Sequence, residues 1–297
     1  MKIALYDVDS TIPNLALMKL SAWHRNLGHE VFRYLPIMHS TYDQIYASKI
    51  FKFSDGSGIT DDMIVGGTGV DMSTELPPEI YDMDPDYTIY GFKHSIGFAS
   101  RGCRLKCKFC VVPKKEGSPI FNRQISRIWT QRDSDFVWLL DNDFFGSPSW
   151  KSSIEEIREY NLRVCFMQGL NIRIITEEQA HALKSVRFRN KAGTHSTVFF
   201  AWDRMKDEKW IRRGIQRLKD AGIKPWQMQF YVLIGFDSTE EEDLYRVMEL
   251  KALGADPFVM AFDKTSVYQR TFARWVNHRA VFNTVSWPEY KFNPANQ

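Results

Sequence analysis

Gly102-Cys103-Arg104-Leu105-Lys106-Cys107-Lys108-Phe109-Cys110 places three cysteines in a C-x₃-C-x₂-C spacing. Fe–S clusters held wholly by protein take about four cysteines, so three thiolates with no fourth nearby suit a metal centre that keeps one position open. Structural zinc wants about four closed ligands, and the nearest histidines, His94 and His181, lack finger spacing. A disulfide framework is the other plain reading, but 4 cysteines in 297 residues behind a non-secretory opening point to a reducing compartment.

At these residues the chain resembles the radical S-adenosylmethionine superfamily. The resemblance implies that Cys103, Cys107 and Cys110 bind an oxygen-sensitive 4Fe-4S cluster. The open iron would chelate the amino and carboxylate groups of S-adenosylmethionine, and an electron would cleave it to a 5′-deoxyadenosyl radical. Phe109 stands where family members place a residue beside the adenine. A phenylalanine next to a cluster could equally shield it from water.

The composition is that of a folded protein, 44% hydrophobic and 14% aromatic. Net charge is +3 from 39 basic and 36 acidic residues, which gives no general case for nucleic acid or an anionic membrane. Arg187-Phe188-Arg189-Asn190-Lys191 and Arg123, Arg127 and Arg132 could meet phosphates or simply be solvated. No apolar run has the length of a membrane span, and residues 2–6 read as a strand rather than a leader. The expectation is a cytoplasmic protein with no membrane partner.

Alternating strand and helix patterns predict an α/β protein. Residues 2–6, a helix over 14–27 and a strand over 30–34 make a β-α-β start, continued by 43–51 and 63–65. Residues 1–90 therefore read as a small Rossmann-like domain. Its Gly66-Gly67-Thr68-Gly69 turn could cradle phosphate or be a turn only. Placed before a cluster motif, such a domain resembles the cobalamin-binding domain of one radical enzyme subgroup. It is short and lacks Asp-x-His-x-x-Gly, so it is read as degenerate and bound cobalamin is not expected.

Strand patterns at 95–99, 136–140, 162–166, 197–201, 229–233 and 257–261, with helices between them, predict a partial (β/α)6 TIM-like barrel over residues 91–264. Parallel barrels carry chemistry at C-terminal strand ends. By resemblance, Asp141, Asn142 and Asp143 hydrogen-bond the methionyl ammonium, although they could also make a turn. Arg173 would fork onto the methionyl carboxylate, or pair locally with Glu177 or Glu178. Gln168 and Asn171 could orient ribose or substrate, and Asp203 offers another inward carboxylate. Gly235 permits a close backbone approach, which by resemblance to the family would be to adenine, and Ser238 or Thr239 before acidic residues marks a helix start.

After the motif only Cys165 remains, which disfavours second-cluster enzymes and nucleic-acid methylases that relay through cysteines. Cys165 reads as a buried strand residue or a hydrogen donor to a radical. Residues 265–297 read as a helix and an aromatic tail that either covers the barrel's edge or stacks on a base. The expected function is hydrogen abstraction from an unidentified small-molecule, nucleotide or peptide substrate, with a flavodoxin or ferredoxin-type reductant. No residue is assigned to the chemistry on the substrate. The alternatives are a cobalamin-dependent radical methyltransferase and a non-catalytic metal-binding interaction module.

Overall fold

The computed structural model describes residues 1–291; the end of the expected aromatic tail, 292–297, lies outside the described residues. The chain divides into two compact units, Met1–Ile96 with Thr130–Ser134, and Gly97–Trp129 with the chain from Asp135 onward.

In the first unit, β1 (Lys2–Asp7), β2 (Glu30–Arg33), β3 (Gln44–Ser48) and β4 (Ile64–Gly66) form one parallel sheet in the order β2-β1-β3-β4. Strand alternation decides what each face of β1 buries. Ile3 and Leu5 pack with Leu17 and Leu20 of α1 (Leu15–Asn26), while Ala4 packs with Ile45, Ala47 and Met63. Asn14 caps α1, its side chain accepting from the Ala16 and Leu17 amides. A short α2 (Pro78–Tyr81) adds Ile80 to the first of these faces.

The boundary between the units falls within β5 (Ser95–Gly97), which leads to the small antiparallel pair β6 (Ser100–Arg101) and β7 (Ile120–Phe121), and that pair encloses the cysteine loop and α3 (Val112–Lys115). After α4 (Ile125–Ile128) come β8 (Phe136–Leu139), α5 (Trp150–Glu159), β9 (Arg163–Phe166), α6 (Glu177–Lys184) and β10 (Arg187–Phe188). Then follow β11 (Val198–Ala201), α7 (Glu208–Asp220), β12 (Met228–Ile234), α8 (Glu240–Ala252) and β13 (Asp256–Ala261). The described chain closes with α9 (Val267–Asn277), α10 (Arg279–Thr284) and α11 (Trp287–Lys291).

The molecule is thus α/β with several parallel sheets, as expected, but the strands of the second unit fall into two of them. One runs β10-β9-β8-β5 and the other β11-β12-β13. A hydrogen bond from Leu170 N, in the turn after β9, to Phe199 O of β11 at 2.8 Å links the two. One face of both sheets supplies Val137, Val164, Phe200, Val232 and Val259 to a single core with helix residues such as Ile157, Ile215 and Leu250. Trp275 and Trp287 of the C-terminal helices belong to that core too.

Candidate functional site

Cys103, Cys107 and Cys110 lie on the loop between β6 and α3, each half-buried and none in a disulfide. The loop starts at Gly102, whose φ of +94° is a left-handed conformation and whose missing side chain leaves room for the Ser118 carbonyl. Cys103 N donates to Gly117 O and Cys110 N to Cys107 O, both at 3.0 Å. Burial pushes the Cys103 thiol up first, and the negative charges of Asp143, Cys107 and Cys110 add to that. Cys110 is raised in the same way by burial, then by Cys107, Glu116 and Asp203. The charges around Cys103 and Cys110 thus oppose the ionisation of these two thiols, and a cation placed among them would reverse the effect.

The residues after β8 hold this loop at three points. Asp141 is 4% exposed and accepts from Ala99 N, Ser100 N and Ser100 Oγ at 3.1, 2.5 and 2.6 Å. Burial raises its carboxyl to about 6. Asn142 donates to Glu116 Oε2 at 3.0 Å, and that carboxylate accepts from Gly102 N while its other oxygen takes Arg101. Asp143 receives Arg104 as a fork, Nε at 2.7 Å and Nη2 at 3.0 Å, together with the Arg104 amide at 3.1 Å. The three residues assigned by resemblance to the methionyl ammonium thus direct polar atoms at the loop itself. Arg104 and Glu116, which complete the clamp, were missed in the sequence; Arg104 sits inside the motif, but nothing marks its partner.

Arg173 pairs with neither Glu177 nor Glu178 but with Asp207, Nη1 to Oδ2 at 2.9 Å. Its Nε contacts Asn171 Oδ1 at 3.4 Å and its Nη2 reaches Cys107 Sγ at 3.9 Å. Asp207 is shared with Arg204, which donates from Nε and Nη2 at 3.0 and 3.1 Å. Asn171 Nδ2 is buried with no hydrogen-bond partner, an orphaned donor beside this guanidinium. Half-buried Asp203 accepts from Leu233 N at 3.2 Å, and burial raises its carboxyl while Arg246 and Arg173 oppose the rise. Gln168 is exposed.

Gly235 has φ +76°, and a side chain there would run into Gln269. Phe109 meets Phe236 edge-on at 5.5 Å, and Phe236 meets Phe262 at 4.9 Å, so an aromatic row joins the cysteine loop to the ends of β12 and β13. Arg246, fully buried, braces the ends of β11 and β12 by donating to Trp202 O at 2.8 Å and Leu233 O at 3.1 Å while paired with Asp243 at 2.6 Å. Burial pushes Cys165 up to about 12, in keeping with a small apolar strand residue. In the first unit, the Gly66–Gly69 turn uses its own groups: Gly69 N donates to Lys49 O, and Gly67 O accepts from Val70 N and Asp71 N.

Among the described residues, no three His, Cys, Asp or Glu side chains form a group able to hold a metal ion as they stand. The donors fit a thiolate-held cluster by chemical type and number: three free thiols on one anchored loop, beside a guanidinium and an orphaned amide donor. No protein-family model matches the chain, and a search of curated proteins finds no match either. Among the described residues, no helix is long and apolar enough to cross a membrane.

Proposed function

We propose that the chain is a radical S-adenosylmethionine enzyme in which Cys103, Cys107 and Cys110 hold a single 4Fe-4S cluster. The observation that carries this reading is the anchored loop of three free, half-buried thiols with the Arg173 guanidinium turned onto Cys107. Such a cluster, when bound, supplies the electron that cleaves S-adenosylmethionine. In this reading the two parallel sheets of the second unit are parts of one partial (β/α)6 barrel, and residues 1–90 are a degenerate cobalamin-binding-like domain. A flavodoxin or ferredoxin-type protein is the reductant.

The side chains then divide the work. Arg173, held in place by Asp207, offers a planar fork to the cosubstrate carboxylate. Asn171 contributes its unpartnered amide donor, and Asp203 an acceptor that Leu233 N occupies on one oxygen only. Phe109 and Phe236 provide an aromatic edge for adenine and keep water from the loop. Asp141, Asn142 and Asp143 set the loop's shape rather than taking ligand with the groups already engaged.

Anaerobic reconstitution tests the reading. Iron and sulfide should each approach about four per chain and fall away when Cys103, Cys107 or Cys110 is replaced by Ala. With dithionite, S-adenosylmethionine should yield 5′-deoxyadenosine. Stoichiometric zinc without iron would end the proposal. S-adenosylhomocysteine as the main product, with a corrinoid spectrum, would point to methyl transfer instead.

A further inference from the structure

The C-terminal ends of β1 and β2 in the first unit carry charges of opposite sign. Asp7 is the last residue of β1 and Arg33 the last of β2, and the two strands are parallel neighbours with Leu5 opposite Arg33. Strand alternation puts Asp7 with Ile3 and Leu5, and Arg33 with Val31, on the face that α1 covers. Both charges therefore stand just beyond the apolar core, at the edge where parallel α/β sheets take their ligands. A cavity of about 270 Å³ opens there, its lining including Asp7, Ser10, Ile12, Pro13, Arg33 and Tyr90.

Tyr90 keeps the two charges apart. Its hydroxyl donates to Asp7 Oδ2 at 2.5 Å, while the Arg33 guanidinium lies over its ring at 5.6 Å. Burial first, and then Asp7, raise that hydroxyl, so it stays a donor. Among the described residues, Arg33 makes no ion pair with Asp7 or with any other carboxylate. The loop from β1 to α1 is anchored on both sides. Asp9 accepts from Ile50 N and Phe51 N, both at 2.8 Å, and Asn14 donates to Ser48 Oγ at 2.8 Å and to Ser10 Oγ at 3.1 Å. Ser10 N donates to Asp7 Oδ1 at 3.1 Å, and the Ser10 hydroxyl, which accepts from Asn14, has its own proton to give. Each Asp7 oxygen has taken one donor and has a lone pair to spare.

A cation and a carboxylate that line one cavity without pairing suit a ligand that carries both charges. We propose that this cavity binds an α-amino acid with an apolar side chain. The ligand's carboxylate takes the Arg33 fork and accepts from the Ser10 hydroxyl, and its ammonium donates to Asp7. Its side chain packs on Ile12 and Pro13, the apolar part of the lining. Simple anions and simple amines are disfavoured, because each leaves one of the two protein charges unmatched. Binding here needs neither iron nor S-adenosylmethionine, and it goes beyond the function proposed for the cysteine loop.

Saturation-transfer NMR titration of the purified full chain with L-leucine tests it. The comparators are 4-methylpentanoate, which has leucine's carboxylate without the ammonium, and 3-methylbutylamine, which has the ammonium without the carboxylate. Leucine should bind at least about tenfold more tightly than either, since each comparator loses one charged hydrogen-bonded contact. Arg33→Met should remove the advantage over 3-methylbutylamine and keep the advantage over 4-methylpentanoate. Asp7→Asn should do the reverse. Circular dichroism establishes that each variant is folded. Asp7 holds Tyr90 and the loop, so Asp7→Asn can fail to fold; Arg33→Met, at an exposed strand end, then decides alone. Equal affinity for all three ligands, no binding of leucine at millimolar concentration, or an Arg33→Met chain that binds leucine like the parent would overturn the proposal. Cys103→Ala should lose iron and bind leucine unchanged, so the amino-acid site and the cluster reading stand or fall separately.

Discussion

Replacing Asp143 by Asn tests whether the cysteine loop is clamped. The carboxylate is 1% exposed and takes three hydrogen bonds from Arg104, two from the guanidinium and one from the backbone amide. Asn keeps the size but loses the charge, and it turns an NH₂ toward one arm of the guanidinium. Hydrogen bonds to charged groups contribute about 1.5–3 kcal/mol each, which sets an upper range for the two side-chain bonds. The Arg104 side chain is 37% exposed and regains water when the fork is lost. That screening, which leaves exposed pairs at about 0–1 kcal/mol, brings the expected loss to about 2 kcal/mol.

In a body of this size such a loss lowers the melting temperature by about 4–8 °C, measurable by circular dichroism. A second readout follows from electrostatics. Asp143 is one of the charges holding the Cys103 thiol up, so its neutralisation should make that thiol more acidic and faster to label with an aromatic disulfide at pH 8. An unchanged melting temperature together with an unchanged labelling rate would refute the clamp. Loss of S-adenosylmethionine binding with stability intact would instead return Asp143 to a ligand role.

Arg173→Ala should weaken S-adenosylmethionine binding, measured by equilibrium dialysis, while iron content holds; unchanged binding would mean that the guanidinium serves only Asp207 and Cys107. Arg246→Met should cost about 3–5 kcal/mol in urea unfolding, because it leaves Asp243 buried without its cation and frees two strand-end carbonyls. His24 is lowered by burial and then by His29, 3.0 Å away, so the unfolded chain binds more protons. The first unit should therefore lose stability as pH falls below about 6.5, and His24→Phe should flatten that slope. Asp141 acts with the opposite sign: its carboxyl is raised from 3.8 to about 6, so its contribution is present below 3.8 and is lost as pH rises through 6.

Much of the architecture was legible because it repeats. The strand patterns at residues 136–140 and 229–233 overlap β8 and β12, since buried parallel strands are continuous apolar runs. Thr239 caps α8 with Glu242 completing the capping box, a pairing that local spacing alone determines. Strands β6, β7 and β10 were illegible, being two residues each and too short to show a period. The partner of Arg173 was illegible for another reason. Sequence offers Glu177 and Glu178 nearby, whereas Asp207 is 34 positions away and is brought in by the turn after β11.

The same limit explains the reassignment of the residues after β8. Sequence shows carboxylates at a strand end, and such groups can meet a ligand's ammonium or the protein's own donors with equal chemistry. The donors here lie on the two-residue β6 and on the irregular stretches either side of it, and no pattern announces that Ala99, Ser100 and Arg104 point back at them. Once those bonds exist, a ligand must compete with them for the same oxygens. A carboxylate already holding two or three donors gives up that interaction to take a ligand, so it discriminates poorly. An orphaned amide donor gains a bond and loses nothing. On the proposed function, Asn171 and the Arg173 fork beside it would therefore have the larger differential interaction with the cosubstrate, and the Asp141–Asp143 segment would act through the shape it gives the cysteine loop.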